Sequence, residues 1–546
     1  MRHGGKILVD QLVEYGVSRV FSVPGESYLA VLDGLYDSGI QNIVCRHEGG
    51  AAMMAEAHGK LTGTPGIAFV TRGPGATNAA SGIHVARQDS TPMILFVGQI
   101  ALGDQDREAF QEVNYRAMFA PLAKWVAQVD QTDRLPEYTA RALHVAQSGR
   151  PGPVVLALPE DILSAQSNVP LRPAHPLAKR PNLDQVAQDI VSELGKAHDP
   201  LIIVGGPHWG QPAADALAKF AENHGISVAS SFRRQDYIDN RHPCYAGDLS
   251  FGMNPALANH VRQADCLLVL GARLGDVATA GFALVDPADR GQKLIHIHAD
   301  PDELGHIYTP DIAVNSRADH MVEALAQIPL DTPKTTPAHD DYQNWRTPQE
   351  TPGDLKLEQV VHWLSDHLPD DAVITNGAGN YAAWVHRYFQ FKRYGTQLAP
   401  TSGSMGYGLP AAIAAKLQHP DRTVVCFAGD GCFQMTLNEL STAAQHGAAV
   451  IVIVVNNGRY GTIRMHQEKT YPARVSGTDL FNPDFVALAK AYGGHGEVVE
   501  NTDEFPKAFR RAADFGRLAV LELKVDPQAL STAATLDQVR DAAQSD

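Results

Sequence analysis

Continuous apolar, β-branched runs recur along the chain at residues 67–70, 93–97, 154–158, 201–204, 266–270 and 450–455, with longer helix-like stretches between them. A strand that is apolar on both faces has no solvent side, so this alternation predicts parallel sheets covered by helices on both faces, and the fold class α/β. Residues 1–20 read as an amphipathic helix with charges at Lys6, Asp10 and Glu14. Two stretches lack the pattern. Residues 164–181 are rich in proline and polar residues, and residues 329–351 carry several Pro, Thr and Asp with little periodicity. Read as linkers, they predict three doubly wound parallel-sheet domains at 1–165, 182–330 and 352–530, with ligands at the carboxyl ends of the strands.

Composition narrows the class of function. The chain has 546 residues, of which 44% are hydrophobic and 19% charged, the profile of a folded protein with more than one core. Its formal charge of -16 repels phosphate backbones and anionic lipid, so neither nucleic acid nor membrane is an expected partner, and small molecules are. The longest apolar run, 448–455, falls far short of the roughly 20 residues that cross a bilayer. Five cysteines (Cys45, Cys244, Cys266, Cys426 and Cys432) form no CxxC pair and no disulfide framework. With no apolar secretory segment at the start, the expected location is cytoplasmic.

The densest chemistry lies at Gly429-Asp430-Gly431, after the apolar run 424–428 and before a helix-like stretch and a second apolar strand ending at Asn456-Asn457. A strand-helix-strand unit of that length brings both polar groups to one sheet edge. A carboxylate and an amide oxygen placed there can hold a hard cation such as magnesium, which recruits phosphate oxygens to complete its octahedron. The two glycines let backbone amides approach those phosphates. Taken alone, Gly-Asp-Gly is equally an ordinary turn.

In this spacing the segment resembles the metal-diphosphate motif of thiamine diphosphate enzymes. The resemblance runs through nearly the whole chain: residues 21–25, Arg46-His47-Glu48, Gly73-Pro74-Gly75-Ala76-Thr77-Asn78, Gly98-Gln99, Phe110-Gln111-Glu112, Lys124-Trp125 and Gly149-Arg150-Pro151-Gly152-Pro153-Val154, a combination specific for the acetolactate synthase branch. It implies that Asp430, the Asn457 side chain and the Arg459 carbonyl ligate magnesium. It implies that Asn380, Tyr381, Gly429, Gly431, Cys432, Tyr460 and Gly461 touch the diphosphate. By the same match the Gly403 carbonyl accepts from the 4'-amino group, and Met405 is the wedge that folds the coenzyme. Glu48 takes the place of the glutamate that shares a proton with N1' of the aminopyrimidine; an apolar pocket raises a carboxyl's proton affinity. The implied nucleophile is a carbanion at the coenzyme's C2, which adds to a substrate carbonyl. Phe110, Gln111 and Lys124 match positions at the pocket mouth or reacting centre, although Phe110 also suits plain core and Lys124 a solvated charge. The family builds its site between the first domain of one subunit and the third of another, which implies a homodimer or homotetramer.

Several positions depart from acetolactate synthase. Val277 stands where an arginine would clamp a substrate carboxylate. Glu26 replaces a glycine and resembles the proton-transferring acid of the pyruvate decarboxylase branch, or else caps the helix that follows. Arg72 replaces a serine and suits an ion pair with Glu26 or an acidic substrate, and Thr462, Met465 and His466 differ as well. In the middle segment Gly205, Gly206, Gly252, Met253, Arg273 and Asp300, with Arg150 from the first, match flavin-binding positions, which leaves FAD, an adenine nucleotide or an empty site open. The implied function is a thiamine diphosphate-dependent carboligase or decarboxylase acting on a 2-oxo acid. The departures keep open a carbon-carbon lyase acting on a diketone or a 2-hydroxyacyl thioester. A non-catalytic nucleotide-binding assembly protein is the third reading; its mark would be loss of Glu48, Asp430 or Asn457, and all are present.

Overall fold

The computed structural model describes residues 1–175, 178, 180–329 and 338–545, so parts of both expected linkers lie outside the described residues. Among the described residues there are three six-stranded sheets, within which every strand pairing is parallel, and a short antiparallel pairing of Arg2–His3 with Gln166–Ser167. The apolar runs read from sequence are central strands whose residues are buried throughout, among them Gly66–Val70, Met93–Gln99, Cys266–Leu270 and Ile451–Asn456. With both faces covered, they have no room for alternation.

The described chain falls into two compact units. One comprises Met1–Ala178 with Pro400–Pro420 and Met435–Ala449; the other comprises Lys179–Ala399, Asp421–Gln434 and Val450–Asp546. In the first unit the spatial order of strands is Gln41–Val44, Arg19–Ser22, Gly66–Val70, Met93–Gln99, Pro153–Pro159, Trp125–Gln128. The chain steps outward from Arg19–Ser22 and then returns past it, so the order reverses between that strand and Gly66–Val70. The second unit repeats this twice. Its reversals lie between Pro200–Val204 and Cys266–Leu270, and between Val373–Asn376 and Val424–Gly429. At each reversal adjacent loops diverge to opposite faces and open a crevice at the carboxyl edge.

Two local expectations change. The first helix covers only Gly4–Glu14, and the chain turns through Gly16, at φ 75°, into the strand Arg19–Ser22. The stretch 329–351 contains the helix Ala338–Trp345, which buries Ala338 and Tyr342 one turn apart against the central core; the Tyr342 ring meets Tyr245 edge-on at 4.8 Å. Only two of its eight residues are apolar anchors, too few to register as a periodic pattern.

In the second unit the helix Leu536–Ser545 is tied to the helix Gly461–Thr470 through a buried carboxylate. Glu468, 1% exposed at its side chain, accepts from Arg464 Nε at 2.9 Å and from Arg540 Nε and Nη2 at 2.9 Å each. Arg540 foremost, these contacts hold the Glu468 carboxyl down from 4.5 to about 2. A carboxyl depressed in the folded state adds stability wherever it is ionised in the unfolded chain, and that gain disappears as pH falls through the folded value. The stability gap between wild type and Glu468→Gln is therefore expected to be widest above about pH 4.5 and to close toward pH 2, measured by urea unfolding at stepped pH. A gap independent of pH would sink this account.

No helix among the described residues is long and apolar enough to cross a membrane.

Candidate active site

In the first unit, polar residues collect on the loops that leave the carboxyl ends of the strands. Glu48 opens the helix Glu48–Thr62, capped by His47, whose Nδ1 accepts from Gly49 N at 3.0 Å. Its carboxylate is half-buried and accepts from Asn78 Nδ2 at 2.9 Å through Oε2. The loop before it is gripped from behind. Glu439, fully buried, accepts from Arg46 N at 3.2 Å and His47 N at 3.0 Å, and burial pushes its carboxyl upward against those bonds. A Cβ on Gly50 would stand 2.4 Å from Glu439 Oε1, so the carboxylate reaches this backbone only because residue 50 has no side chain.

The segment carrying Gly403 and Met405 belongs to this same unit. Gly403 turns at φ 67°, and Met405 is half-buried. Tyr407 just beyond them donates to Glu56 Oε2 at 2.5 Å, and Thr401 N donates to Asp89 at 3.2 Å. Lys60 lies 3.2 Å from Glu56 and 3.3 Å from Asp89. Glu56 and Lys60 sit on the Glu48 helix, so one buried ionic cluster fastens the Met405 loop to the helix that Glu48 begins.

Glu26 lies in a tight turn after Arg19–Ser22 and makes no side-chain cap. Instead it pairs with Arg72 at 3.0 Å, and Arg72 pairs at 3.0 Å with Glu160 beyond the strand Pro153–Pro159. The arginine side chain is 10% exposed and its partners 68% and 44%, so a buried cation is shared between two more exposed anions. Gln111, at φ 65°, packs on Gly73, where a Cβ would meet its own Cβ at 2.8 Å. Phe110 next to it is 73% exposed. Lys124 is not brought to this edge. It precedes the strand Trp125–Gln128, at the opposite end of the parallel sheet, and its Nζ donates to the Val145 and Ser148 carbonyls at 2.7 and 2.6 Å, a cation at a helix C-terminus. Arg150 also precedes its strand, and it binds Ser90 Oγ and the Arg87 carbonyl at 2.9 and 3.3 Å.

The second unit gathers the other set around the third sheet's order reversal. Asp430, 2% exposed, follows Val424–Gly429; its Oδ2 accepts from Gly458 N at 3.0 Å and Asn482 Nδ2 at 2.7 Å. Burial pushes its carboxyl upward while these donors oppose the shift. Asn457 Oδ1 accepts from Arg459 N at 3.1 Å. Asn380, at the other side of the reversal, accepts from Thr462 Oγ1 at 2.9 Å and donates to the Leu530 carbonyl at 2.7 Å. The Tyr381 hydroxyl lies 3.3 Å from Cys432 Sγ. Gly429 and Gly431 each face a tyrosine ring: a Cβ would stand 2.9 Å from Tyr381 and 2.5 Å from Tyr460, and on Gly461 3.0 Å from Asn457 Nδ2. These residues share one edge, where the tyrosine rings pack directly on the glycine backbone. Among the described residues no group of three His, Cys, Asp or Glu could hold a metal, so any cation here draws on one carboxylate and neutral oxygens. That donor set fits magnesium, which keeps water and phosphate as its remaining ligands.

At the central sheet's reversal the glycines serve close packing. A Cβ on Gly205 would stand 2.0 Å from Ser231 Oγ, and one on Gly206 1.8 Å from the Gly271 carbonyl. Met253 packs against the central core, Arg273 is half-buried, and Asp300 caps the next turn by accepting from Asp302 N at 3.1 Å.

Glu439, Asn482 and Glu522 were not singled out from sequence. Glu522 did carry a signal, an acidic residue after the apolar run Ala519-Val520-Leu521 and buried with it, in a strand whose one exposed residue is Lys524.

Three domain families match the chain: thiamine pyrophosphate enzyme, N-terminal TPP binding domain, over residues 2–118; the central domain over 187–325; and the C-terminal TPP binding domain over 377–523. The chain belongs to the thiamine pyrophosphate enzyme family. It is an acetolactate synthase-like enzyme dependent on thiamine diphosphate. The acetolactate synthase large subunit of Corynebacterium glutamicum is 33% identical over 537 residues, covering 94% of this chain and 84% of that protein. The acetolactate synthase isozyme 2 large subunit of Escherichia coli is 31% identical over 536 residues and 96% of each chain. In fold, the chain is similar to the thiamine diphosphate-dependent 4-hydroxybenzoylformate decarboxylase of Rhodococcus jostii RHA1, with a TM-score of 0.83 at 24% identity over 96% of this chain and 99% of that one.

Proposed function

We propose that the enzyme is a magnesium-dependent carboligase or decarboxylase acting on a 2-oxo acid. The observation that carries this is Glu48, fixed at a helix start by Asn78 in front and by Glu439 behind. Bound thiamine diphosphate supplies an acidic C2-H and an electron sink for breaking or making a bond beside a carbonyl. Glu48 would exchange a proton with N1' of the pyrimidine. Gly403 would accept from the 4'-amino group through its carbonyl, and Met405 would hold the coenzyme bent. Asp430, Asn457 and the Arg459 carbonyl would hold magnesium, with Asn380, Tyr381, Gly429, Gly431, Cys432, Tyr460 and Gly461 lining the diphosphate.

The first-domain residues of one subunit, Glu48 among them, would work with the third-domain residues of another in a homodimer or homotetramer. Ile463, Tyr471 and Phe481, 54%, 64% and 99% exposed around the metal loop, support a covering second copy. Five free cysteines support a cytoplasmic location. Close main-chain packing accounts for Gly205 and Gly206 without a ligand, and FAD or an adenine nucleotide in the central sheet stays open.

Two observations favour a second reading. Arg72 is engaged by two carboxylates and Val277 carries no charge, which suits a lyase acting on an uncharged carbonyl substrate such as a diketone, or on a 2-hydroxyacyl thioester. Protein supplied with magnesium and thiamine diphosphate should retain the coenzyme on gel filtration and consume pyruvate with release of carbon dioxide. Cleavage of a diketone or thioester with no pyruvate consumed would replace the first reading by the second. Failure to retain the coenzyme would sink both.

A further inference from the structure

Behind Asp430 stands a second layer of polar side chains whose hydrogen bonds permit one arrangement. Glu522, in the strand Ala519–Lys524, is 3% exposed and accepts from Asn456 Nδ2 at 2.6 Å, with Lys524 paired to it. A carboxylate so paired only accepts, so the Asn456 amide must turn its NH2 toward Glu522 and its oxygen away. That oxygen accepts from Gly458 N at 3.0 Å and from Asn482 Nδ2 at 2.9 Å. The same two donors reach Asp430 Oδ2, at 3.0 and 2.7 Å. Were Asn456 to flip, its NH2 would face two donors and both would lose an acceptor.

We propose that Glu522 is a positioning residue for the cation: by orienting Asn456, and through it Asn482 and the Gly458 amide, it keeps Asp430 Oδ2 occupied so that ligation falls to Oδ1. The inference rests on the magnesium-thiamine diphosphate reading above. A partner in the outer shell that fixes a ligand's orientation is worth about 10–100-fold in metal affinity. Glu522 touches neither metal nor substrate in this account; it acts through one amide.

The test is a magnesium titration of thiamine diphosphate binding by the full-length protein, followed by intrinsic tryptophan fluorescence, beside melting of the coenzyme-free protein. Glu522→Leu should raise the magnesium needed for half-saturation at least about tenfold, while Glu522→Gln, which keeps an acceptor oxygen, should stay within about threefold. Both should stay folded at the assay temperature, Glu522→Leu melting somewhat below wild type because the Asn456 NH2 loses its buried acceptor. If Glu522→Leu does not fold, Asn482→Ala, at a half-buried loop position, carries the same expected loss. Where both fold, the double variant should bind magnesium no more weakly than the worse single one, because the two residues act in series. Additive losses, equal losses in the Leu and Gln variants, or a wild-type magnesium requirement in Glu522→Leu would overturn the inference. A wild type that binds no magnesium-thiamine diphosphate would instead overturn the reading beneath it.

Discussion

In Glu48→Gln, turnover is expected to fall by about 10²–10⁴-fold, while magnesium-dependent retention of thiamine diphosphate stays near wild type. Glutamine keeps the length of the side chain and an oxygen that can accept from Asn78 Nδ2, so the helix start survives. The grip of Glu439 also survives, because it holds the main-chain amides of residues 46 and 47. What disappears is a group able to gain and lose a proton. Steady-state rates on the preferred carbonyl substrate, beside coenzyme retained after ultrafiltration, check the expectation. Unchanged turnover would remove Glu48 from the proposed chemistry, and loss of both quantities would make it a binding residue.

Asp430→Asn is expected to give the opposite pair of results, with the coenzyme no longer retained at magnesium concentrations that saturate wild type and the fold nearly intact. Asparagine offers a single acceptor oxygen. Gly458 N and Asn482 Nδ2 already converge on this side chain, so that oxygen turns to them and the NH2 turns to the cation. A first ligand so reversed should cost more than the roughly 10–100-fold of an outer-shell partner. Retention assays across a magnesium series, with melting of the coenzyme-free protein, measure it. A variant that binds at the wild-type magnesium level would show that the cation does not use this carboxylate.

Much of the fold was legible because buried parallel strands announce themselves as unbroken apolar runs, and every run noted contributes a strand to one of the three sheets. The residues that gather at the carboxyl edges were legible as segments: Glu48 opens a helix after a strand, and Asp430 and Asn457 follow two strands that prove to be neighbours. Lys124 was harder to place, since a lysine near a conspicuous tryptophan says nothing about which end of a strand it occupies; it precedes the strand and caps a helix instead. The supporting shell was illegible for a different reason. Glu439 meets Arg46 and His47 from far along the chain, and Asn482 meets Asp430 across a loop, by contacts that leave no periodic mark. The helix Ala338–Trp345 escaped because two anchoring side chains are not a stripe.

The grip of Glu439 on amides rather than side chains bears on how freely this loop can drift in evolution or in a randomised library. At position 46 the grip itself needs only the main-chain amide, which proline alone would remove, although exchanging the arginine also gives up its side-chain bonds to Ser441 Oγ and the Val44 carbonyl. Position 50 has no such latitude, since even a methyl group there would displace the carboxylate that does the gripping.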